Sequence, residues 1–329
     1  MQKKPHAMIL GTGRAIPEQI LTNADLARMV ETSDDWIVSR TGIKQRHIAA
    51  PGSALSDLAT EAARKALQNA GVAAEEIDLI VIATVTGDMK FPATACLVQA
   101  KLGATNAAAF DISAACSGFL YGLQVAEGLM ISAGYQRVLV IGGEILSSMV
   151  NWQDRDTCVL FGDGAGAAIL GPSDGVRGLL HARMGSDGAH SGLLYNPGGG
   201  SINPPTAENV ADLLHTIRME GKEVFRHAVS AMTLALKQVL KEAGFRGNDL
   251  DLLIPHQANL RIIEAVAKRC KMPMEKVFIN VDRFGNTSAA SIPIALDELL
   301  RSAAIKEGAL VGFVTFGGGF TWAAALMRF

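Results

Sequence analysis

Cys116 is the cysteine whose surroundings in the sequence could make it a nucleophile. It lies between a short apolar segment, 107–112, and a segment, 118–133, whose almost entirely apolar composition predicts a central helix. The positive end of that helix dipole would favour a thiolate, which is the nucleophilic form of cysteine. Most buried cysteines are unreactive, however, so this segment alone favours a structural role for Cys116.

Two further residues could take part in nucleophilic chemistry, and each lies at the boundary of a predicted element. His256 follows the apolar run 252–255, which places it at a strand end, where polar groups commonly face a cleft. Asn286 precedes a predicted helix, where asparagine alone would be interpreted as a helix cap. The other histidines fall in predicted loops or on helix faces, which favours solvated or structural roles.

An internal repeat relates the elements that would position these residues. Residues 62–81 and 235–254 match at a constant offset of 173. Each copy combines an amphipathic helix, an Ala-Gly helix end and an apolar strand typical of burial on both faces. Residues 127–133 and 297–303 match at an offset of 170.

The repeat predicts the fold class and the domain organisation. We expect an α/β fold built from two duplicated halves, 1–172 and 173–329, related by pseudo-two-fold symmetry. Glycines and prolines within about 173–222 predict a less regular insertion at the start of the second half.

The offsets also predict which positions in the two halves are equivalent. The offset of 170 assigns Asn286 to the position of Cys116, and the offset of 173 assigns His256 to the position of Ala83. Pseudo-two-fold symmetry brings equivalent elements together near its axis. We therefore expect Cys116, His256 and Asn286 to share one site.

The composition argues against several classes of function. The net charge of −2 comes from 32 acidic and 30 basic residues, so we expect neither a nucleic-acid partner nor a membrane partner. The four cysteines form no C-x-x-C pair and no Cys/His cluster, so we expect no disulfide framework and no metal site. The N-terminus lacks the apolar stretch of a signal peptide, which makes a cytoplasmic location the expectation.

Three segments resemble a membrane span or a phosphate-binding loop, but their residues argue against both interpretations. The uncharged segment 309–327 could span a bilayer, but three glycines at 317–319 interrupt it and predict two buried strands joined by a turn. The glycine strings at 11–13 and 162–166 lack the helix that a phosphate-binding loop requires, so we interpret their glycines as turn residues.

Several sequence strings, taken together, resemble the bacterial 3-oxoacyl-[acyl-carrier-protein] synthase III enzymes of the thiolase superfamily. The resemblance extends from near residue 9 to Phe329. The strings are Ser33-Asp-Asp-Trp-Ile-Val-Ser-Arg-Thr-Gly-Ile, Ala114-Ala-Cys-Ser-Gly-Phe, Phe161-Gly-Asp-Gly-Ala-Gly-Ala, Pro255-His-Gln-Ala-Asn, Gly285-Asn-Thr-Ser-Ala-Ala-Ser and Phe316-Gly-Gly-Gly-Phe-Thr-Trp.

The resemblance implies a fold, a reaction and partners. The fold is thiolase-like, with α-β-α-β-α layers, and the enzyme is a homodimer that starts fatty acid synthesis. A short-chain acyl-CoA, expected to be acetyl-CoA, acylates Cys116, and decarboxylative Claisen condensation with malonyl-acyl carrier protein follows. Coenzyme A thioester is thus a substrate, and no bound cofactor is expected.

The resemblance also implies a role for each catalytic residue. Cys116 is the nucleophile, and the backbone N–H groups of Cys116 and Gly318 form the oxyanion hole. His256 and Asn286 donate hydrogen bonds to the malonyl thioester carbonyl and stabilise the enolate formed when carbon dioxide leaves. The enolate then attacks the acyl group on Cys116.

Contacts with coenzyme A are implied at four positions. Trp36 and Arg155 flank the adenine, since a flat aromatic ring and a guanidinium suit stacking, and Thr32 and Asn259 contact other parts of the molecule. Ordinary core packing is the alternative for Trp36. A surface ion pair with a neighbouring aspartate is the alternative for Arg155.

Contacts with protein partners are implied as well. Four residues resemble the basic patch that docks an acidic carrier protein, with a solvated face as the alternative: Arg226, Arg261, Lys268 and Arg269. Phe91 resembles the residue that reaches across the dimer to line the acyl pocket of the partner. Lys222 replaces an asparagine often found near the pantetheine arm, which leaves the acyl-chain preference open.

Other members of the superfamily and a non-enzymatic role fit the sequence less well. A thiolase would carry a second cysteine in the turn at 316–320, and the elongating condensing enzymes would pair two histidines with the cysteine. A related Cys-His-Asn enzyme that condenses acyl-CoA in secondary metabolism is the alternative that remains. A scaffold without turnover would be expected to have lost Cys116 or His256.

Overall fold

The structure is a computed structural model that describes residues 6–329. Strands and helices alternate along most of this part of the chain. The strands are β1 (Ala7–Ala15), β2 (Gln19–Thr22), β3 (Gln45–Ile48), β4 (Leu79–Ala83), β5 (Ala108–Ile112), β6 (Val138–Glu144), β7 (Gly164–Pro172), β8 (Gly178–Ser186), β9 (Leu194–Tyr195), β10 (Arg218–Met219), β11 (Leu252–Pro255), β12 (Leu310–Gly317) and β13 (Thr321–Arg328). The helices are α1 (Asn23–Leu26), α2 (Asp34–Thr41), α3 (Leu55–Ala70), α4 (Thr94–Leu102), α5 (Gly118–Ala133), α6 (Arg155–Cys158), α7 (Ala207–Val210), α8 (Gly221–Ala243), α9 (Leu260–Cys270), α10 (Val281–Phe284) and α11 (Ser291–Arg301).

Two mixed sheets form the framework. The first has the order β1-β7-β6-β4-β5 and the second the order β8-β13-β12-β11. Each sheet contains a matching parallel pair, β4 with β6 and β11 with β12, and the next strand, β7 or β13, pairs antiparallel with the second member. The shared order and directions confirm the predicted duplication.

The register of the parallel pairs follows the offset of 173 residue by residue. Leu79 pairs with Val138 in the first sheet, and Leu252 pairs with Val311 in the second. The same offset relates the end of β4 to His256, which follows β11 directly. Continuous apolar strands of this kind occur where both faces of a sheet are covered.

Helices cover both faces of each sheet and produce five layers. α5 and α11 lie between the sheets, with α5 packed on β4 and β6 on one side and on β8 and β13 on the other. α3 and α4 cover the outer face of the first sheet, and α8 with α9 covers the second. Contact with two sheets explains why α5 is apolar almost all round. The predicted α-β-α-β-α layering is confirmed.

The predicted equivalence of Asn286 with Cys116 is wrong. Short 3-10 turns precede α5 and α11, and their first residues, Ala115 and Ser288, both have left-handed φ values, 46° and 48°. This shared turn continues the offset of 173 up to the starts of both helices. Asn286 therefore corresponds to Ser113, and the offset of 170 applies only further along the helices.

The glycine strings lie largely in strands, so their interpretation as turns is also wrong. A Cβ atom at Gly13 in β1 would lie 2.2 Å from the carbonyl oxygen of Ala62 in α3. A Cβ atom at Gly166 in β7 would lie 2.8 Å from the backbone nitrogen of Ile294 in α11. These glycines let helices approach the first sheet closely.

The segment at about 173–222 is irregular over only part of its predicted length. It contains β8, which pairs with β13 as the edge strand of the second sheet. The irregular part follows β8 and holds α7 and the small sheet of β9 and β10. The boundary between the halves at 172 stays a prediction.

The uncharged C-terminal segment forms two strands, as predicted. β12 and β13 pair antiparallel from Leu310 with Arg328 to Gly317 with Thr321. Within residues 6–329, no helix is long and apolar enough to cross a membrane.

Candidate active site

A cavity of about 850 Å³ holds the three candidate catalytic residues in its wall. Cys116 comes from the first half, and His256 and Asn286 come from the second. All three side chains are almost completely buried. The structure therefore brings them to one site, as expected, although the equivalence that suggested this for Asn286 was wrong.

The turn that carries Cys116 is fixed by hydrogen bonds to β13. The hydroxyl of Thr321 donates to the carbonyl of Ala114 over 2.8 Å, and the hydroxyl of Ser117 donates to the carbonyl of Thr321 over 3.1 Å. They hold Ala115 in a left-handed conformation that costs a residue with a Cβ atom about 1–2 kcal/mol. The thiol is thereby held in the cavity wall at the start of α5.

Burial keeps the Cys116 thiol protonated in the resting site. Desolvation raises the pKa of Cys116 to about 12, and the charge of Glu144 acts in the same direction. A hydrogen bond from Ser288 lowers the pKa but does not offset burial. The prediction of a thiolate from the helix dipole is therefore wrong for this state, so the thiol must lose its proton during the reaction.

His256 is held as a neutral hydrogen-bond donor. Its backbone N–H donates to the carbonyl of Val314 over 2.8 Å, and its Nδ1 lies 2.7 Å from the hydroxyl of Ser291. Burial lowers the pKa of His256 to about 3, so the ring is uncharged near neutral pH. The Ser291 hydroxyl can donate to Nδ1 or accept from it, and donation would leave the ring proton on Nε2.

Asn286 is oriented by its own loop. Its Oδ1 accepts a hydrogen bond from the backbone N–H of Ser288 over 2.9 Å. Its backbone N–H donates a hydrogen bond to the carbonyl of Leu160 over 2.9 Å, and its backbone carbonyl accepts one from the N–H of Gly162 over 3.0 Å. Because Oδ1 is occupied, the Nδ2 amide group is the part of the side chain available to a ligand.

A glycine turn at the end of β12 approaches the nucleophile. A Cβ atom at Gly317 would lie 2.6 Å from the backbone nitrogen of Cys116, so a larger residue would separate the two segments. Gly318 follows directly, and the turns at 115–117 and 318–320 are in contact. The oxyanion hole of Cys116 and Gly318 stays a prediction that this proximity allows.

Trp36 in α2 contacts two guanidinium groups. The Cζ atom of Arg40 lies 4.4 Å from the ring centroid and that of Arg155 lies 4.8 Å from it. A base stacked between Trp36 and Arg155 needs roughly 7 Å between the two planes, twice the ordinary contact distance. Adenine could enter there only if Arg155 moved away from Trp36 and broke its hydrogen bond of 3.1 Å to the carbonyl of Glu31.

The other two predicted coenzyme A contacts differ in their hydrogen bonding. The hydroxyl of Thr32 is buried and has no hydrogen-bond partner within residues 6–329. A ligand would satisfy it. Asn259 lines the cavity as the N-cap of α9. Its Oδ1 accepts a hydrogen bond from the backbone N–H of Arg261 over 2.9 Å, and its Nδ2 donates to the backbone carbonyl of Arg40 over 3.0 Å.

The basic patch spans α8 and α9. Arg261, Lys268 and Arg269 are exposed on α9, and Arg261 also lines the cavity. Arg226 on α8 forms an ion pair of 2.6 Å with Glu223, which offsets its charge. Lys222, in the first turn of α8, is exposed and lines the cavity. The patch therefore adjoins the opening to Cys116.

Phe91 lies apart from these elements, in the loop between β4 and α4. Its side chain is 84% exposed, and Met89 beside it is 51% exposed. Exposure of both side chains leaves them accessible to a partner. The predicted contact of Phe91 with a second subunit stays a prediction.

Comparison with known proteins identifies the family. A family model described as 3-oxoacyl-[acyl-carrier-protein] synthase III matches residues 110–188, and the model of its C-terminal part matches residues 240–329. The beta-ketoacyl-[acyl-carrier-protein] synthase III of Caldanaerobacter subterraneus subsp. tengcongensis is 55% identical over 100% of this chain and 99% of its own length. The chain belongs to the 3-oxoacyl-[acyl-carrier-protein] synthase III family.

Solved structures of this synthase family agree with the fold. The enzyme from Aquifex aeolicus superposes with a TM-score of 0.91 at 47% identity, covering 98% of this chain and 100% of that one. The priming beta-ketosynthase of the R1128 polyketide pathway superposes with a TM-score of 0.91 at 36% identity, covering 100% of this chain and 97% of that one. The predicted thiolase-like fold is confirmed, and the chain is an acyltransferase-type condensing enzyme of fatty acid synthesis.

Sequence analysis missed four residues of this synthase site. Ser288 and Ser291 follow Asn286 within one quoted string, where hydroxyl groups just before a helix were the available signal. Glu144 is the one charged residue of the otherwise apolar strand β6. Arg40 lies one helical turn after Trp36.

No candidate metal centre accompanies these residues in the synthase. Within residues 6–329, His, Cys, Asp and Glu side chains form no group that could hold a metal ion. The four cysteines are free.

Proposed function

We propose that this synthase transfers a short acyl group, acetyl in the simplest case, from coenzyme A to Cys116 and condenses it with malonyl-acyl carrier protein. The products are 3-oxoacyl-acyl carrier protein, coenzyme A and carbon dioxide. The observation that carries the proposal is a buried thiol sharing one cavity with the uncharged ring of His256 and the amide of Asn286. In the proposed reaction, His256 Nε2 and Asn286 Nδ2 are the N–H donors. The coenzyme A thioester is a substrate, and the proposed reaction uses no bound cofactor.

In the proposed first step, Cys116 attacks the thioester carbonyl of the acyl-CoA. The tetrahedral oxyanion accepts hydrogen bonds from the backbone N–H groups of Cys116 and Gly318, and collapse releases coenzyme A. The close approach of Gly317 to Cys116 supports this arrangement, because it lets the two backbone segments face one oxygen atom.

In the proposed second step, the malonyl thioester carbonyl faces His256 and Asn286. Loss of carbon dioxide leaves negative charge on that oxygen, and the two N–H donors stabilise it without becoming charged themselves. The enolate carbon then attacks the acyl group on Cys116. The neutral state of His256, which burial enforces by lowering its pKa to about 3, suits a donor rather than a general acid.

The two substrates would reach Cys116 through the same cavity. Coenzyme A would contact Trp36, Arg155, Thr32 and Asn259, with Arg155 moving to admit the adenine. Acyl carrier protein would dock on the basic patch, which adjoins the cavity through Arg261. We further propose a cytoplasmic homodimer in which Phe91 enters the acyl pocket of the partner.

A mass-spectrometric experiment tests the proposal. Incubation with acetyl-CoA should add an acetyl group to the peptide that contains Cys116, and later addition of malonyl-acyl carrier protein should remove it as product. Cys116→Ala should abolish the adduct, while Cys270→Ala, which replaces a cysteine outside the cavity wall, should leave it unchanged. Absence of an adduct with every short acyl-CoA would rule out the acyl-enzyme step.

A second variant separates the two steps. His256→Ala should still form the acetyl adduct but should lose malonyl decarboxylation, followed as release of labelled carbon dioxide. Equal loss of both steps would contradict the role proposed for His256.

A second candidate function is priming in polyketide synthesis, favoured by the similarity to the R1128 priming ketosynthase. Its chemistry at Cys116 is the same, and only the primer and the carrier protein differ. Competition between carrier proteins of the two pathways, with acyl-CoA primers of increasing length, would distinguish the candidates.

A further inference from the structure

Glu144 is a buried carboxylate at the end of β6 beside the nucleophile. It is 0% exposed and forms no salt bridge with a cation of the described chain. Its oxygens accept hydrogen bonds from the hydroxyls of Thr84, over 3.1 Å, and Thr86, over 2.5 Å, and from the backbone N–H of Val85. A carboxylate without a cation is costly to bury, so its place beside a catalytic thiol needs a reason.

Ser288 connects this carboxylate with the nucleophile. Its hydroxyl donates to Oε1 of Glu144 over 3.2 Å. The turn that Ser288 begins, 288–290, is in contact with the turn at 115–117 that carries Cys116, and the Ser288 side chain lowers the pKa of the Cys116 thiol. The backbone N–H of Ser288 separately orients Asn286. The order of groups is therefore thiol, hydroxyl, carboxylate, which is the order that a proton relay requires.

The site favours moving a negative charge over creating a new one. The charge of Glu144 raises the pKa of Cys116, and His256 in the same cavity wall as Cys116 is neutral. A thiolate beside an ionised Glu144 would place two negative charges in a buried region. Transfer of the thiol proton to Glu144 keeps one charge and shifts it to sulfur, where bond formation needs it.

We propose that Glu144 accepts, through the hydroxyl of Ser288, the proton that Cys116 loses when it attacks the acyl-CoA. The inference rests on the proposed acylation of Cys116. In this relay Ser288 takes the proton from the Cys116 sulfur, and Glu144 acts through Ser288.

The step balances in protons and bonds. The thiol proton passes to the Ser288 oxygen while the Ser288 proton passes to Glu144, and the Cys116 sulfur forms a bond to the acyl carbon. When the bond from that carbon to the coenzyme A sulfur breaks, the proton returns to the departing sulfur, which leaves as a thiol. Glu144 begins and ends the step ionised, and no other reactant is consumed.

The acidity of Glu144 suits this exchange. Burial raises its pKa to about 7, well above the ordinary value of 4.5, while its three hydroxyl donors and the Val85 N–H act against that rise. The carboxylate is therefore both available and basic near neutral pH.

Single-turnover acylation by acetyl-CoA, measured across a series of pH values, tests the relay. The wild-type rate should rise with a midpoint near the Glu144 pKa of about 7. Glu144→Gln keeps the shape but accepts no proton, so its rate should fall at least about tenfold and lose that midpoint. Ser288→Ala should behave similarly, and Ala115 shows that alanine adopts the same left-handed turn.

Thr86→Val provides a readout that a merely structural role would not change. It removes one hydrogen bond to the Glu144 carboxylate, which should raise the pKa of Glu144 and move the midpoint to higher pH. A wild-type rate and midpoint in Glu144→Gln, or an unmoved midpoint in Thr86→Val, would overturn the relay.

Alkylation of Cys116 by iodoacetamide distinguishes failure of the relay from failure of the proposed function. It requires loss of the same thiol proton but no acyl-CoA, and it should show the same dependence on Glu144. If acylation fails in every protein while alkylation keeps this dependence, the proposed function is wrong and the relay stands. If alkylation is independent of Glu144, the relay is wrong.

Discussion

Burial determines the charge state of the candidate catalytic residues. Apolar surroundings favour the neutral form of every ionisable group, which raises the pKa of Cys116 and Glu144 and lowers that of His256. The resting site thus holds dipoles rather than charges, apart from Glu144. The Ser291 hydroxyl contacts the His256 ring, and the Ser288 hydroxyl contacts Glu144. These small polar side chains should therefore affect the rate.

Ser291→Ala tests whether the hydroxyl beside His256 affects the rate. Loss of the hydroxyl removes the partner of Nδ1, so the ring loses the contact that would hold its proton on Nε2. We expect malonyl decarboxylation by pre-acetylated enzyme to slow about tenfold, equivalent to about 1.4 kcal/mol, while acetylation of Cys116 changes little. Ser302→Ala, which removes a hydroxyl after the end of α11, is the control. Equal slowing of both steps would indicate general distortion.

His256 and Glu144 should also affect the pH dependence of stability in opposite directions. The pKa of His256 falls from 6.5 to about 3 on folding, so its contribution is present above pH 6.5 and is lost as the pH falls through about 3. The pKa of Glu144 rises from 4.5 to about 7, so its contribution is present below pH 4.5 and is lost as the pH rises through about 7.

Two variants separate these contributions. On acidification from about pH 7 to about pH 4.5, His256→Gln should gain stability relative to wild type, and Glu144→Gln should lose it, each by about 3 kcal/mol. Thermal unfolding at a series of pH values measures both differences. If the difference in stability from wild type changed with pH in the same direction for both variants, the assigned charge states would be contradicted.

At the scale of elements, the close approach of α3 to β1 depends on glycine. Gly13→Ala places a Cβ atom 2.2 Å from a helix backbone oxygen, which cannot rotate away as a side chain could. We expect a loss of about 2–3 kcal/mol in the free energy of unfolding. Gly128→Ala in α5, where nothing lies within 4 Å of the added atom, should instead gain up to about 1 kcal/mol. Urea unfolding measures the free energy of unfolding of both variants. An unchanged value for Gly13→Ala would show that α3 can shift to accommodate the added atom.

The sequence predicted those elements whose pattern follows from burial. β4 and β11 are apolar throughout because helices cover both faces, and their match at 173 residues predicted their equivalent registers. The position of Asn286 was misassigned because a change of offset inside a helix leaves its apolar pattern intact. Gly13 was misread because a glycine in a strand and one in a turn differ only in what packs against them.

The charge states could not be predicted from the sequence for a related reason. A helix dipole acts locally and is visible in the sequence, whereas desolvation depends on every segment that covers the group. Cys116, Glu144 and Ser288 lie in three separate segments and meet only in the folded chain. The prediction that Cys116 is a thiolate was therefore wrong for the resting site. The prediction that Cys116 and His256 share one site was right, because it followed from the predicted topology.

At the scale of the whole molecule, the two halves meet around one cavity and present the basic patch beside its opening. Arg261 lines the cavity and could contact either substrate, but Lys268 and Arg269 lie further along α9 and outside the cavity wall. Charges at the edge of an interface mainly affect the rate of association and its salt dependence. Lys268 and Arg269 therefore offer a way to change carrier-protein docking without changing acyl-CoA binding.

The double variant Lys268→Glu, Arg269→Glu tests this separation. We expect KM for malonyl-acyl carrier protein to rise about tenfold at low salt and less at high salt, because screening weakens the attraction. KM for acetyl-CoA should not change. Arg64→Glu with Lys306→Glu makes the same change in net charge at exposed positions outside the basic patch and should leave both constants near wild type. A rise in KM for both substrates, or the same effect in the control, would show that α9 does not dock the carrier protein selectively.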